Sequence, residues 1–183
     1  MKLRIWVSLA SIVSFASCAN PINQVTADNY QETCFVAEES GNLKVAEEAC
    51  GRALTNVGWG NLGPAEQSQK QYNLARIKRK LAKFSEAEVL LKQSLEIEEK
   101  INPRSELRIG RRLVELSVSL AAQGKWQEGA PYLTRAYEVS NQFSVSEKKY
   151  VALILSKYAE EFRREGKADD ASKYESMASK VGV

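Results

Sequence analysis

Between Tyr72 and Asn102 the apolar positions fall into two helical stripes. Leu74, Ile77 and Leu81 recur at three- and four-residue steps, with Ala75 and Ala82 beside them, and predict one amphipathic helix. A turn is expected around Lys83–Ser85. Phe84, Ala87, Leu91 and Leu95 then mark a second helix, which Pro103 stops. Neither helix is long enough to bury its apolar face alone, so the two are expected to close as an antiparallel hairpin.

The pattern returns after about 42 residues. Phe84 maps to Trp126, Leu74 to Leu116, Leu91 to Leu133, Ser94 to Ala136 and Ala87 to Gly129. A second step takes Gly124 to Gly166 and Ala136 to Ala178, with Ala171 at the small position. Gly124 before Lys125-Trp126 and Gly166 before Lys167-Ala168 each read as a helix stop followed by a helix start. Towards the N-terminus, Gly41-Asn42-Leu43 can form the same turn, with Ala46, Cys50, Ala53 and Leu54 in the helix after it. The chain is therefore expected to be all-α, with about four hairpins. The small positions let paired helices approach closely, and the aromatic after each turn fills the space between them.

The Leu74-Ala75 pair, Phe84 after the turn and Ala87 after that resemble the tetratricopeptide repeat (TPR). Leu91 stands where Tyr or Phe is usual, Ser94 where Ala is usual, and Lys78 replaces a mid-helix Tyr. The long step resembles the long-helix, kinesin-light-chain type of TPR. The resemblance covers roughly residues 30–180 and implies a helical-hairpin solenoid wound as a right-handed superhelix. It also implies a groove, lined by the first helix of each hairpin, that holds peptides or helices of partner proteins. Carried over by pattern, the second hairpin contributes Gln69, Tyr72, Asn73, Arg76, Arg79 and Lys80. The third contributes Arg111, Val114, Glu115 and Val118, and the fourth Ser156, Lys157, Glu160 and Arg164. Asn73 takes a position where peptide-binding members often place an Asn to hold the ligand backbone. The full carboxylate-clamp set of Lys and Asn is absent. Glu32, Phe35, Glu38 and Glu39 would make one end of the groove acidic, while Arg76, Lys80 and Arg111 would make its middle basic. A basic middle favours an acidic segment or a free carboxylate; the alternative is a solvated helix face that binds nothing in particular.

Residues 1–18 read as an export signal rather than as structure. Lys2 and Arg4 give the charged start, and the apolar run from Ile5 to Phe15 is too short for a standard membrane span. Ala16-Ser17-Cys18 resembles the bacterial lipoprotein signal, with Cys18 lipidated as the new N-terminus, although Phe15 stands where Leu is usual. Ordinary cleavage after Ser17-Cys18-Ala19 is the alternative. Ala19 following the cysteine implies, by the same resemblance, the outer membrane. Residues 19–28 are polar and read as a flexible tether, leaving 29–183 as the repeat domain.

Removing Lys2 and Arg4 from the 26 basic side chains leaves 24 against 23 acidic ones, so a nucleic-acid partner is not suggested. Cys34 and Cys50 fall on the two helices of the first hairpin. In an oxidising compartment they are expected to form a disulfide, the alternative being two buried thiols. Thr55 to Pro64, with Gly58, Gly60 and Gly63, is the longest break in the helical pattern, and Trp59 within it is expected to fold back on the core, the alternative being an exposed Trp that marks a contact site. Ser105 is a candidate helix cap, and Ser144 to Glu147 reads as a capping box. The polar stretch from Ala168 to Lys180 suits the wettable outer face of a terminal repeat.

The sequence contains no histidine and no glycine-rich phosphate loop, and its paired acids (Glu47-Glu48, Glu98-Glu99, Glu160-Glu161, Asp169-Asp170) point in different directions on helices. No catalytic site, metal site or cofactor is expected. The reading is an exported, lipid-anchored scaffold of the bacterial cell envelope, in the periplasm at the outer membrane or else soluble. Two alternatives are kept: a pilotin-like assembly factor for a secretin or type IV pilus, and an exported thiol enzyme using Cys34 or Cys50.

Overall fold

The structure, a computed structural model, describes residues 19–181. Eight helices follow one another: α1 (Pro21–Glu39), α2 (Leu43–Gly60), α3 (Pro64–Lys80), α4 (Phe84–Lys100), α5 (Glu106–Ala121), α6 (Trp126–Glu138), α7 (Val145–Arg164) and α8 (Ala168–Val181), with one 3-10 turn, Ser140–Gln142. They close as four hairpins, α1–α2, α3–α4, α5–α6 and α7–α8, and each hairpin packs on the next. There is no strand among the described residues.

One turn is used four times. Gly41, Ala82, Gly124 and Gly166 all adopt positive φ, between 58° and 77°. Each donates its N–H three residues back: Gly41 to Glu38, Ala82 to Arg79, Gly124 to Ala121 and Gly166 to Arg163. The following residue donates five back, so that Asn42, Lys83, Lys125 and Lys167 satisfy the carbonyls of Ala37, Lys78, Leu120 and Phe162. This paired closure ends a helix at a left-handed residue and starts the next at once. Three of the four positions are glycine, which enters that region freely; Ala82 enters it against a steric penalty on its Cβ.

The core follows the repeated apolar positions. Ala87, Leu91, Leu116, Leu133, Ala136 and Ala171 are all buried. Gly129 is small because Tyr158 needs the space: a Cβ there would collide with the Tyr158 hydroxyl, which instead donates to the Ser117 carbonyl at 2.8 Å. Trp126, Phe162 and Tyr174 pack around the Tyr158 ring. Burial pushes the Tyr158 hydroxyl well above its ordinary pKa, with Tyr174 adding to the shift. The last helix turns Ala171, Tyr174, Met177 and Val181 inward and leaves its polar face outward, as a terminal repeat requires. Ser105 caps α5, and Ser144 with Glu147 forms the capping box of α7.

Cys34 and Cys50 are joined in a disulfide, with Cα atoms 5.3 Å apart. Closing a loop of this size removes about 3 kcal/mol of freedom from the unfolded chain. The staple sits in the hairpin that has the smallest side chains in its core, Ala37, Ala46, Ala49 and Ala53.

Three expectations are corrected. Residues 21–28 are not a tether: α1 starts at Pro21, capped by Asn20, and Ala27 is fully buried. The polar composition there marks the open face of a helix end. The break after Thr55 shrinks to residues 61–63, because α2 runs on through Gly58 to Gly60. Gly60 is needed inside that helix, where a Cβ would meet Asn23 and Leu62. Trp59 does not fold back on the core; it is 76% exposed.

The Ala82→Gly substitution should stabilise the protein by about 1 kcal/mol, since relief of the left-handed strain exceeds the added freedom of the unfolded chain. Urea denaturation should show a higher midpoint with an unchanged slope. An unchanged or lower midpoint would mean that residue 82 carries no such strain.

Candidate functional site

The first helix of each hairpin, α1, α3, α5 and α7, contributes to one face, and the residues expected to line a groove lie on or under it. The charges in the middle of this face are already matched. Glu38 of α1 accepts from Arg76 Nη2 (2.7 Å) and pairs with Lys80 (2.6 Å). Arg79 Nε donates to Glu115 of α5 (2.5 Å), and Arg111 Nε to Glu147 of α7 (2.6 Å). These pairs join consecutive hairpins across the face. For Glu147, burial works against the charge, but the bonds from Arg111 and Ser144 outweigh it and hold its pKa below the usual range. The expected basic middle is thus a row of ion pairs, Arg76, Lys80 and Arg111 each meeting an acid of a neighbouring hairpin. Of the expected acidic end, Glu38 joins this row, while Glu32 and Glu39 stand exposed beside it.

Other expected contacts are structural. Asn73 is 3% exposed; its Nδ2 donates to Gln31 of α1 (2.9 Å), and it accepts from Gln69 (3.0 Å). It stitches α1 to α3 and is not offered to a ligand backbone. Val114 is buried in the core. Arg164 pairs with Glu161 within the last turn of α7. Ser156 back-bonds to the Ala152 carbonyl, while Lys157 and Glu160 are exposed. Cys18 lies outside the described residues.

Apolar depressions lie between the charged rows. Tyr72, Val114, Phe143, Tyr150 and Val151, rimmed by Arg111, Glu115 and Glu147, enclose about 80 Å3. Val118, Trp126, Ile154 and Tyr158, with Lys157 at the edge, enclose about 190 Å3. A more open hollow of about 490 Å3 lies between α1 and α3, among Phe35, Val36, Glu38, Arg76 and Lys80. Phe143 reaches the first depression because Gly110 leaves room for its ring.

Beneath this face lies a cluster of polar residues that the sequence did not announce. Arg112 of α5 and Glu98 of α4 are each 1% exposed, with Arg112 Nη2 3.0 Å from Glu98 Oε1 in ion-pair contact though not aligned as a hydrogen bond. Arg112 Nε donates to Ser94 Oγ (2.6 Å), Ser94 Oγ donates to the Ser68 carbonyl (2.8 Å), and Ser68 Oγ donates to Glu98 Oε1 (3.0 Å). Arg108 Nε completes the cluster on Glu98 Oε2 (2.8 Å). Burial lowers the Arg112 pKa to about 10 against the pull of Glu98. The guanidinium also lies 4.9 Å from the Tyr72 ring centroid, and burial of that Tyr raises its pKa to about 12. The one available signal was Ser94 in place of the usual alanine.

A second set of charges joins the other helices. Glu88 of α4 accepts from Lys92, Gln123 and Lys125, Glu47 of α2 from Lys78 and Lys83, and Glu99 of α4 from Arg135. Among the described residues no group of His, Cys, Asp or Glu could hold a metal ion, and no helix is long and apolar enough to cross a membrane.

No protein-family model and no curated protein matches the sequence. Solved structures do match it. BtubC (BKLC) from P. vanneervenii superposes with a TM-score of 0.73 at 16% identity over 87% of this chain, which spans 64% of that structure's length. A putative kinesin light chain of Podosopora anserina with nearly identical TPR-like repeats gives a TM-score of 0.64 at 18% identity, covering 85% of this chain and 74% of that one. The fold is a TPR-like solenoid. The matched structures include a putative kinesin light chain, the repeat type that the 42-residue step resembled. At these identities the likeness is one of fold.

Acid should loosen the joint between the second and third hairpins. Burial raises the Glu88 pKa, but bonds from Lys92, Lys125 and Gln123 outweigh it and bring it to about 2. A depressed carboxylate stabilises the fold above its unfolded pKa and loses that contribution as pH falls through the folded value. Stability should therefore fall between about pH 4.5 and pH 2, and the Glu88→Gln variant should show a flatter decline over that range. Parallel curves for both proteins would show that Glu88 gains nothing from its partners.

Proposed function

We propose that the chain is an exported, lipid-anchored scaffold of the bacterial envelope that holds a segment of another protein against the face of α1, α3, α5 and α7. The TPR-like fold supports the general class, since such stacks present a curved face to protein partners. The export signal read in residues 1–18 and the Cys34–Cys50 disulfide support an oxidising compartment. The same disulfide leaves neither Cys34 nor Cys50 as a free thiol, which favours the scaffold over a thiol enzyme using either.

The observation that carries the mode of binding is the pairing of Arg76, Arg79, Lys80 and Arg111 with Glu38, Glu115 and Glu147. A partner carboxylate would have to displace an acid already in place. Recognition instead rests on apolar or aromatic side chains entering the depressions at Tyr72–Tyr150 and Val118–Ile154, with the paired charges fixing register at the rim. Buried aromatic anchors of this kind dominate protein-interface energetics.

Photo-crosslinking residues placed at Tyr150 and Val118 in the native envelope should capture the same partner, and exposed Glu128 on α6 should not. The capture should weaken in the Cys18→Ser variant, which leaves the membrane. Capture from Glu128 but not from Tyr150 or Val118 would place the interface on the second helices instead.

A further inference from the structure

Among the described residues, six of the nine exposed large apolar side chains belong to the first hairpin: Ile22, Val25, Phe35, Val36, Val45 and Trp59. Three of these stand at one tip. Ile22 (73% exposed) and Val25 (60%) lie one turn apart in the first turns of α1, and Trp59 (76%) lies in the last turn of α2. The two helix ends are tied together, with Asn20 N–H donating to the Gly60 carbonyl at 2.9 Å. None of residues 19–27 and none of residues 53–65 carries a charge, in a chain of which 27% of residues are charged.

Inferring from this tip, and resting on the lipid-anchor reading above, we propose that Ile22, Val25 and Trp59 dock into the interfacial region of the bilayer beside the Cys18 anchor. Only Ala19 separates Cys18 from the helix cap at Asn20, so an acyl chain on Cys18 would enter the membrane within a few ångströms of the tip. A Trp with two aliphatic neighbours suits the membrane–water boundary, and the uncharged tip enters it without the cost of desolvating an ion. The next charges along the two segments, Asp28 and Glu66, both pair with Lys70. The opposite end of the solenoid closes on the polar face of α8, which offers no apolar match for head-to-tail stacking. Docking holds the first hairpin against the lipid and directs the remaining hairpins away from it.

The test couples the chain from Cys18 onward to vesicles of phosphatidylcholine and phosphatidylethanolamine through a maleimide lipid. Cys18 is the one thiol outside the disulfide, so attachment does not depend on cellular processing. The vesicles carry brominated acyl chains, which quench nearby tryptophan. Trp59 and Trp126 are the only tryptophans after Cys18, and Trp59→Phe isolates the second. The expected result is at least a twofold loss of the Trp59 signal, no loss from Trp126, and a reduced loss in the Ile22→Ser/Val25→Ser variant. Unquenched Trp59 overturns the proposal, as does dimerisation through the tip that Trp59→Ser abolishes while Trp59 stays unquenched. The anchor reading fails separately, if Cys18→Ser remains in the membrane fraction and is processed normally.

Discussion

The contact between Glu98 and Arg112 holds the middle of this solenoid. It is a charge pair at 1% exposure, fed by two serines and a second arginine, at the point where α3, α4 and α5 meet. A buried pair of this kind adds little over an apolar filling of equal volume, yet losing one partner leaves an ion without solvent. It therefore acts less as a source of stability than as a condition on geometry: the helices must meet in the one arrangement that satisfies every member. Because Arg112 also lies against Tyr72, that condition reaches the depression on the inner face.

Around this point the hairpins are joined by the same devices at successive steps. The turn at Gly41, Ala82, Gly124 and Gly166 sets the length of each unit, and rows of acid and base then cross from each unit to the next. The pairs are partly exposed, and each contributes little alone. Together they fix the register of the units and take up Arg76, Arg79, Lys80 and Arg111, the cations of the middle of the face. What remains free there is apolar and aromatic, and that is why the proposed partner is bound by apolar side chains rather than by a carboxylate.

The hairpins, the glycine-marked turns, the capping box and the disulfide were legible in the sequence, because each depends on residues close together or on a repeating step. The second turn, expected around Lys83–Ser85, centres instead on Ala82, which no glycine marks. The inner face was harder. Arg76 and Arg111 look like free cations when only their own helices are considered, and their acids stand one unit away. The step that aligned Phe84 with Trp126 could have located those acids. Trp59 was misplaced for the opposite reason: glycines suggested a loop, but Gly60 is there for close packing on Asn23, and the helix that continues through it turns the indole outward. The Ser94–Glu98–Arg112 cluster was nearly invisible, since charged residues on helices are usually solvated and only the Ser94 departure from alanine hinted otherwise.

The most direct test of this account is a double-mutant cycle on Glu98→Gln and Arg112→Met, read by chemical denaturation. Each single change should cost about 3–5 kcal/mol, since it strands a buried partner. The double variant should cost less than the sum by roughly 1–3 kcal/mol, the coupling expected of groups in one network. Additive effects, or single substitutions costing less than about 1 kcal/mol, would contradict the claim that this pair sets the junction of α3, α4 and α5.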